Sequence, residues 1–445
     1  MRASQEYKSD ILSFNVLGQP VIVLNSVQVA TDLLDKRGAN YCDRPRFVLF
    51  EVMGWHKTLT FLRSGPSFRL HRRILQRGFQ KSNIGQYRHL QEREATVLLR
   101  GIMDKPAEWE MILRRFSTAI ALGVGFGIKI ETDTDPFIQI AEDASYALGH
   151  GGAPAGTPVD FFPLFRYLPS FLHDRSLKFA NQWRFAIANL RNKPYEAIMA
   201  SRTGMQSLVQ EMIDQRESQV QQGQSPDVSE EDVKGAGAAV FAAAQDTTFD
   251  DRPNLQYIDF IVQETFRWSP VSPMGVPHRS LKDDIYRGYF IPAGSFVYAN
   301  TRAMTHDETV YQNPDEFDPD RYFPLEEGGR GEPLPNGQFG FGRRICVGQH
   351  FAEATIWLVV AVMLSTMSIE REKDASGAEV MPVVELTSGL TSHPKSFPCL
   401  IRPRDEKSGV VIRDAKACTC FMHSVLCEST LRTFTVVSLA LAQSR

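Results

Sequence analysis

The sequence predicts a mainly α-helical protein with a small β region, and three observations lead there. Six stretches place apolar residues at helical spacing: 69–79, 90–103, 109–122, 135–148, 178–201 and 205–216. Alternating, β-like character is confined to two short regions far apart in the chain, 11–24 and 286–299. Across all 445 residues no low-complexity linker or internal repeat divides the sequence, so one large domain is the economical expectation.

Taken in order, 11–17 and 20–24 read as a hairpin around Gly18-Gln19, since glycine accepts the positive φ of a tight turn. Ser26 is placed to cap a helix over 26–36 by accepting a first-turn N–H. After the six helical stretches and a polar surface loop at 218–227, an Ala-rich run from Val233 reads as a further helix ending in Ala243-Ala244-Gln245-Asp246-Thr247-Thr248. Residues 286–290 and 295–299 flank Pro292-Ala293-Gly294 as a second hairpin, and 351–367 reads as a helix beginning just after Cys346. Two segments have no period: 47–61 mixes Phe, Met, Trp and Leu, and 149–169 spaces Gly and Pro through an apolar background. These are loops that either face the core or gate a ligand.

Composition removes several function classes. A net charge of −3, with no Lys/Arg run interleaved with aromatics, excludes a generally basic nucleic-acid binder. Six cysteines without regular spacing do not form a secreted disulfide scaffold and fit a reducing compartment. No run approaches the ~18 apolar residues that span a bilayer.

The chemistry concentrates at Cys346, in Phe339-Gly340-Phe341-Gly342-Arg343-Arg344-Ile345-Cys346-Val347-Gly348. Thiolate is the ligand form of cysteine, and nearby N–H groups, cations and a helix N-terminus all favour it. Gly342 and Gly348 let the backbone turn toward the sulfur, Arg343 and Arg344 bring charge, and a helix follows. The alternative is a buried thiol on a glycine-rich turn.

Phe339, Gly342, Arg344, Cys346 and Gly348 fill every fixed position of Phe-x-x-Gly-x-Arg-x-Cys-x-Gly, a spacing that resembles the haem-binding loop of the cytochrome P450 family. Two further segments support the resemblance in the same order. Glu264-Thr265-Phe266-Arg267 is similar to the family's Glu-x-x-Arg helix, and Phe317-Asp318-Pro319-Asp320-Arg321-Tyr322 to its Phe-x-Pro-x-Arg segment. The resemblance implies a cytochrome P450-like fold over residues 1–404, haem b (iron protoporphyrin IX) as cofactor, Cys346 as the iron's axial ligand, and an ion-pair network of Glu264, Arg267 and Arg321 behind the haem. It also implies that Asp246 and Thr247 form the acid–alcohol pair that delivers protons for oxygen activation, with Ala244 in place of the usual glycine. Without the other motifs, Asp246 and Thr247 read as ordinary residues at a helix end.

Haem propionates need cationic or N–H donors. Phe68-Arg69-Leu70-His71-Arg72 occupies the place of the family's Trp-x-x-x-Arg segment, with Phe68 losing the indole donor while His71 and Arg72 remain. His278, in Pro277-His278-Arg279, and Arg344 complete the expected donors.

The resemblance is closest to fungal members, on Asp43-Arg44-Pro45, Asp251-Arg252-Pro253-Asn254-Leu255 and Gly275-Val276-Pro277-His278-Arg279, and three departures stand out. Residues 1–10 are polar where such members, which reside at the endoplasmic reticulum membrane, have an apolar anchor; a cytosolic or peripheral location is therefore expected. Thr248 is followed at once by Phe249-Asp250-Asp251-Arg252-Pro253, which in relatives comes only after further helical turns and another helix, so the fold is expected to be incomplete around its central helix. From Thr247 to Glu264 the chain reaches at most ~58 Å extended, enough to connect the two sides of a haem but not to complete that helix as well. Finally, 405–445 is expected to be an atypical, poorly ordered extension, although Cys418, Cys420, His423 and Cys427 have a metal-like look.

What the resemblance implies functionally is a haem-thiolate monooxygenase of fungal secondary metabolism. It would act as a monomer on a small apolar substrate, with electrons from a separate NADPH-dependent reductase docking on the cysteine side near Arg343. Segments 47–61 and 149–169, with the turn Leu386-Thr387-Ser388-Gly389-Leu390, would build the substrate pocket. A rival of another class is a non-catalytic haem-binding remnant, motivated by the missing block. An isomerase or peroxygenase on the same scaffold is a third possibility, against which the intact acid–alcohol pair argues.

Overall fold

The structure, a computed structural model, describes residues 9–201, 207–243, 255–387 and 389–414. The first hairpin forms as expected: β1 (Ile11–Val16) pairs antiparallel with β2 (Gln19–Leu24), Val16 facing Gln19 across a turn in which Leu17 and Gly18 have φ of 52° and 86°. The sheet is completed from the other end of the chain. β6 (Phe296–Ala299) lies parallel to β2, with Val21 opposite Phe296, and β3 (His278–Arg279) pairs antiparallel with β6.

The expected second hairpin is corrected. Its strands are β4 (Asp284–Tyr286) and β5 (Tyr289–Ile291), joined at Arg287-Gly288, where φ is 51° and 83°. Pro292-Ala293-Gly294 instead carries the chain from β5 into the other sheet. Both segments hold glycine, and only the tight two-residue turn matches strand twist. A last pair, β7 (Met367–Glu370) and β8 (Leu400–Pro403), is antiparallel.

The helices run in sequence from α1 (Val27–Ala30), capped by Ser26 accepting from the Val29 N–H and continuing as a wider turn through Thr31–Lys36. Segment 47–61 is not a loop: it contains α2 (Val48–Met53), with Val48, Leu49, Phe50 and Met53 buried. A six-residue helix with four fully buried apolar residues and one partly exposed charge, Glu51, is too short and too apolar to show a period. Next come α3 (Pro66–Phe79), α4 (Arg88–Asp104), α5 (Trp109–Phe126) and α6 (Pro136–His150), whose N-cap Asp135 accepts from the Phe137 N–H. After the short α7 (Pro158–Phe161), the single helix expected over 178–201 is two, α8 (Arg175–Gln182) and α9 (Arg184–Ala200). Trp183 breaks it at φ −94°, ψ 5°, its ring stacked between Phe179 and Phe185.

Helices α10 (Leu208–Gln221), α5, α9 and α3 surround α11 (Glu230–Ala243), the central helix. Close approach there requires glycine: a Cβ on Gly235 would fall 2.4 Å from the Lys57 carbonyl oxygen, and one on Gly237 2.5 Å from the Phe126 ring. Then follow α12 (Gln256–Trp268), α13 (Thr301–Thr305) and α14 (Gln349–Thr366). Past the boundary expected at 404, α15 (Glu406–Asp414) packs on α4 and α14, burying Ile412. Arg100 donates to the Ile412 and Arg413 carbonyls, satisfying that helix's last turn. The expected break after Thr248 and the four residues Cys418, Cys420, His423 and Cys427 lie outside the described residues. No described helix is long and apolar enough to cross a membrane.

Candidate active site

Cys346 is exposed and carries no disulfide. Its N–H donates to the Phe339 carbonyl at 2.8 Å, closing the loop that presents the sulfur, and α14 begins after Gly348, two residues on. The turn rests on Gly342, at φ +55°: a Cβ there would meet the Leu34 carbonyl oxygen at 2.0 Å, so the cysteine loop and the first helix touch backbone to backbone. Gly348, by contrast, has an ordinary φ of −89°. A Cβ there would stand 3.9 Å from Cys346 Sγ, an ordinary contact, so neither the backbone nor the space beside the sulfur demands glycine at 348. Phe339 packs edge-on against Phe266 of α12 at 5.2 Å, linking the loop to the helix of Glu264.

The Glu264 network is fully buried. Arg267 forks onto Glu264 at 2.7 and 2.8 Å, Arg321 Nε reaches Oε1 at 3.1 Å, and Tyr322 Oη donates to Oε2 at 2.9 Å. Arg267, Arg321 and Glu264 have no exposed side-chain surface. Their remaining donors reach the carbonyls of Thr305, Gln312, Pro314 and Glu316, so each charge is both paired and hydrogen-bonded. Glu332, which sequence reading missed, takes Arg321 Nη1 at 2.5 Å. Burial, reinforced by the charge of Glu264, pushes the Tyr322 phenol far up.

On the loop's other flank the donors form an anion-seeking cluster. Arg344 gives Nε to Cys42 O at 2.7 Å and Nη1 to Leu62 O at 2.8 Å, while its Nη2 is buried without a partner among the described residues. Arg44 donates to Val276 O and Pro277 O and likewise leaves Nε buried and unpaired. His278 holds Tyr41 O through Nδ1 at 2.8 Å. Burial pushes the Arg344 guanidinium down to about 10, and burial beside Arg44 and Arg344 lowers His278 well below the ordinary imidazole value. The buried carboxylate of Asp43 offsets part of this charge, and the orphaned N–H groups of Arg44 and Arg344 still suit a further anion.

Arg72 donates to Ile345 O at 2.8 Å, next to Cys346. His71 is placed differently: Nε2 lies 2.9 Å from Asp232 Oδ1 at the start of α11, tying α3 to the central helix and leaving only Nδ1, buried and unpartnered, for another group. Sequence reading took Arg44 only as part of a lineage marker; its signal, an arginine between aspartate and proline, does not reveal burial. Asp246 and Thr247 lie outside the described residues.

These residues fit a haem: an accessible thiol on a glycine loop, and buried cations whose unused N–H groups match carboxylates. The cytochrome P450 family model matches residues 1–249 and 248–397, two segments that meet at the place where a break was expected, after Thr248. A cytochrome P450 monooxygenase of Armillaria gallica is 32% identical over 91% of this chain and 86% of its own length. Tryptamine 4-monooxygenase of Psilocybe cyanescens is also 32% identical, over 91% of this chain and 87% of its own. Among solved structures, a zebrafish cytochrome P450 superposes with a TM-score of 0.70 at 19% identity, covering 91% of this chain and 98% of that one, a likeness of fold. Motif order, buried network and family match together show that the chain belongs to the cytochrome P450 family.

Proposed function

We propose that the chain is a haem-thiolate monooxygenase that inserts one oxygen atom from dioxygen into a small, largely apolar organic molecule, with Cys346 as axial ligand. The observation that supports this most is the buried cluster of Arg44, His278 and Arg344 beside the Cys346 loop, whose unpaired donors suit the propionates of haem b. When bound, haem supplies the oxygen-activating chemistry, and a thiolate ligand favours O–O cleavage. The chain's own residues do the rest: the glycine loop presents the sulfur, the cation cluster and Arg72 hold the carboxylates, and Asp246 and Thr247 deliver protons. A groove of about 510 Å³ lined by Arg69, Arg72, Arg73, Arg77 and Arg343, with no acidic residue in its lining, suits the acidic face of an NADPH-dependent reductase. The test is the reduced, CO-bound spectrum of the purified chain, where thiolate ligation gives a strongly red-shifted Soret band that Cys346→Ser abolishes. An unchanged spectrum in Cys346→Ser refutes the ligand assignment.

One observation favours a second reading, a haem-binding remnant without turnover: the family match divides at residues 248–249, directly after Asp246 and Thr247. Product formed per electron supplied separates the two. Tight coupling in the unaltered chain supports the monooxygenase, while haem binding with peroxide release, reversed by inserting a helical segment after Thr248, supports the remnant.

A further inference from the structure

The two segments with no sequence period meet in space, and the carboxylate of Asp160 makes the less exposed of the polar ties described between them. Asp160, on α7, accepts the Leu49 N–H at 3.2 Å through Oδ1, and through Oδ2 the Thr157 N–H at 3.2 Å and the Thr157 hydroxyl at 2.7 Å. Helix α2 needs this distant acceptor because its own N-cap residue, Phe47, has no side chain that can accept. The other polar tie between the segments is weaker. Glu51 takes a fork from Arg46 at 2.8 Å and Arg166 at 3.3 Å, but all three side chains are partly exposed.

Little apolar packing holds the strap that follows Asp160. Leu164, Tyr167 and Phe171 are 77%, 71% and 76% exposed, so apart from Val159, buried beside Asp160 in the core that also holds Val48, Leu49 and Phe50, the strap's hold on α2 comes from its polar ties. The base of the same loop is fastened to the cysteine loop: Arg344 binds the carbonyls of both Cys42 and Leu62, which bracket α2. The segment carrying α2 is therefore pinned at its base beside Cys346 and at its tip by Asp160.

We infer that Asp160 is a positioning residue that sets how fast molecules enter and leave the site, by clasping the α2 tip to the 158–172 strap. The inference rests on the haem reading only for one of its two tests. Hydrogen exchange on the haem-loaded chain reads the clasp directly. In Asp160→Ala the amides of Leu49–Met53 should exchange about tenfold faster, while Asp160→Asn, which keeps an acceptor for Leu49, should stay within about threefold of wild type. Stopped-flow binding of 1-phenylimidazole, followed by its Soret shift, reads access. Asp160→Ala should raise both the association and dissociation rates about fivefold and leave Kd within about twofold, the mark of a changed barrier rather than a changed site. Unchanged exchange at Leu49–Met53 refutes the clasp, and faster exchange with unchanged probe rates refutes its role in access. A shift in Kd alone assigns Asp160 to the pocket wall and also overturns the inference. If the wild-type chain takes up no haem, the haem reading and the access claim both fall, and exchange on the chain as purified still decides the clasp. Should Asp160→Ala not fold, Thr157→Val with Glu51→Gln removes other ties in the same clasp and must show the same two changes in smaller measure.

Discussion

The guanidinium carbon of Arg344 stands 3.5 Å from the centroid of the Phe68 ring, a stacked cation–π contact inside the buried donor cluster. Phe68 thereby supports the arginine where a tryptophan would add a donor of its own. Phe68→Leu keeps apolar volume but removes the ring face, a loss of about 1–2 kcal/mol for a desolvated pair. Haem should leave this variant about tenfold faster, measured by transfer to apomyoglobin. An unchanged transfer rate removes Phe68 from haem retention.

Arg267→Ala and Arg321→Ala should each destabilise the fold by about 3–5 kcal/mol, because the Glu264 carboxylate is left buried and short of a partner. Arg267→Lys should recover little, since an ammonium cannot fork onto both oxygens of Glu264. Thermal melting and haem content after purification check this. Soluble, haem-replete Arg267→Ala and Arg321→Ala proteins contradict the network's role.

Acid should weaken the fold through His306. Its folded-state imidazole is lowered to about 4, chiefly by burial, while an unfolded one takes its proton near 6.5. Between those values the unfolded chain binds more protons, so stability falls as pH falls. From pH 7 to pH 5 this group alone accounts for about 2 kcal/mol. Urea unfolding at both pH values, compared with His306→Gln, should show a smaller pH difference in the variant. His71 and His278, also lowered, act in the same direction.

Reversing charge along the arginine groove, as Arg73→Glu with Arg77→Glu, should slow electron delivery by about tenfold at low salt and leave the CO spectrum unchanged, because both side chains are exposed and neither makes any of the donor cluster's hydrogen bonds described above. The effect should shrink as ionic strength rises. Stopped-flow reduction across a salt series reads both. Equal rates at every salt concentration place the reductase elsewhere.

How much of this was legible in the sequence depended on distance along the chain. The β1–β2 hairpin, the Ser26 cap and the Cys346 loop are local, fixed by turn glycines, a capping hydroxyl and a ten-residue frame. Glu264, Arg267 and Arg321 were legible because their motifs occur in order, yet Glu332 was not, as one acid among many. A β region assembled from both ends of the chain was legible, but the register of β2 on β6 was not, since two short strands so far apart carry no register in their own residues. Arg44, Asp160 and α2 were missed for one reason: burial by distant neighbours changes what a residue does without changing its local pattern. His71 was expected to face the cofactor, but nothing near it in sequence announces Asp232.

The Glu264 network also bears on the order in which the protein can be made. Glu264 and Arg267 leave the ribosome well before Arg321, Tyr322 and Glu332, and the carbonyls that satisfy Arg267 lie at Thr305, Pro314 and Glu316. Until those later residues emerge, α12 holds a carboxylate and a guanidinium with most of their partners unsynthesised, and water is their better environment. The nascent chain thus keeps this face of α12 solvated, and closure waits for the segment through Glu332. The Cys346 loop, made next, arrives to find its supporting helix already locked.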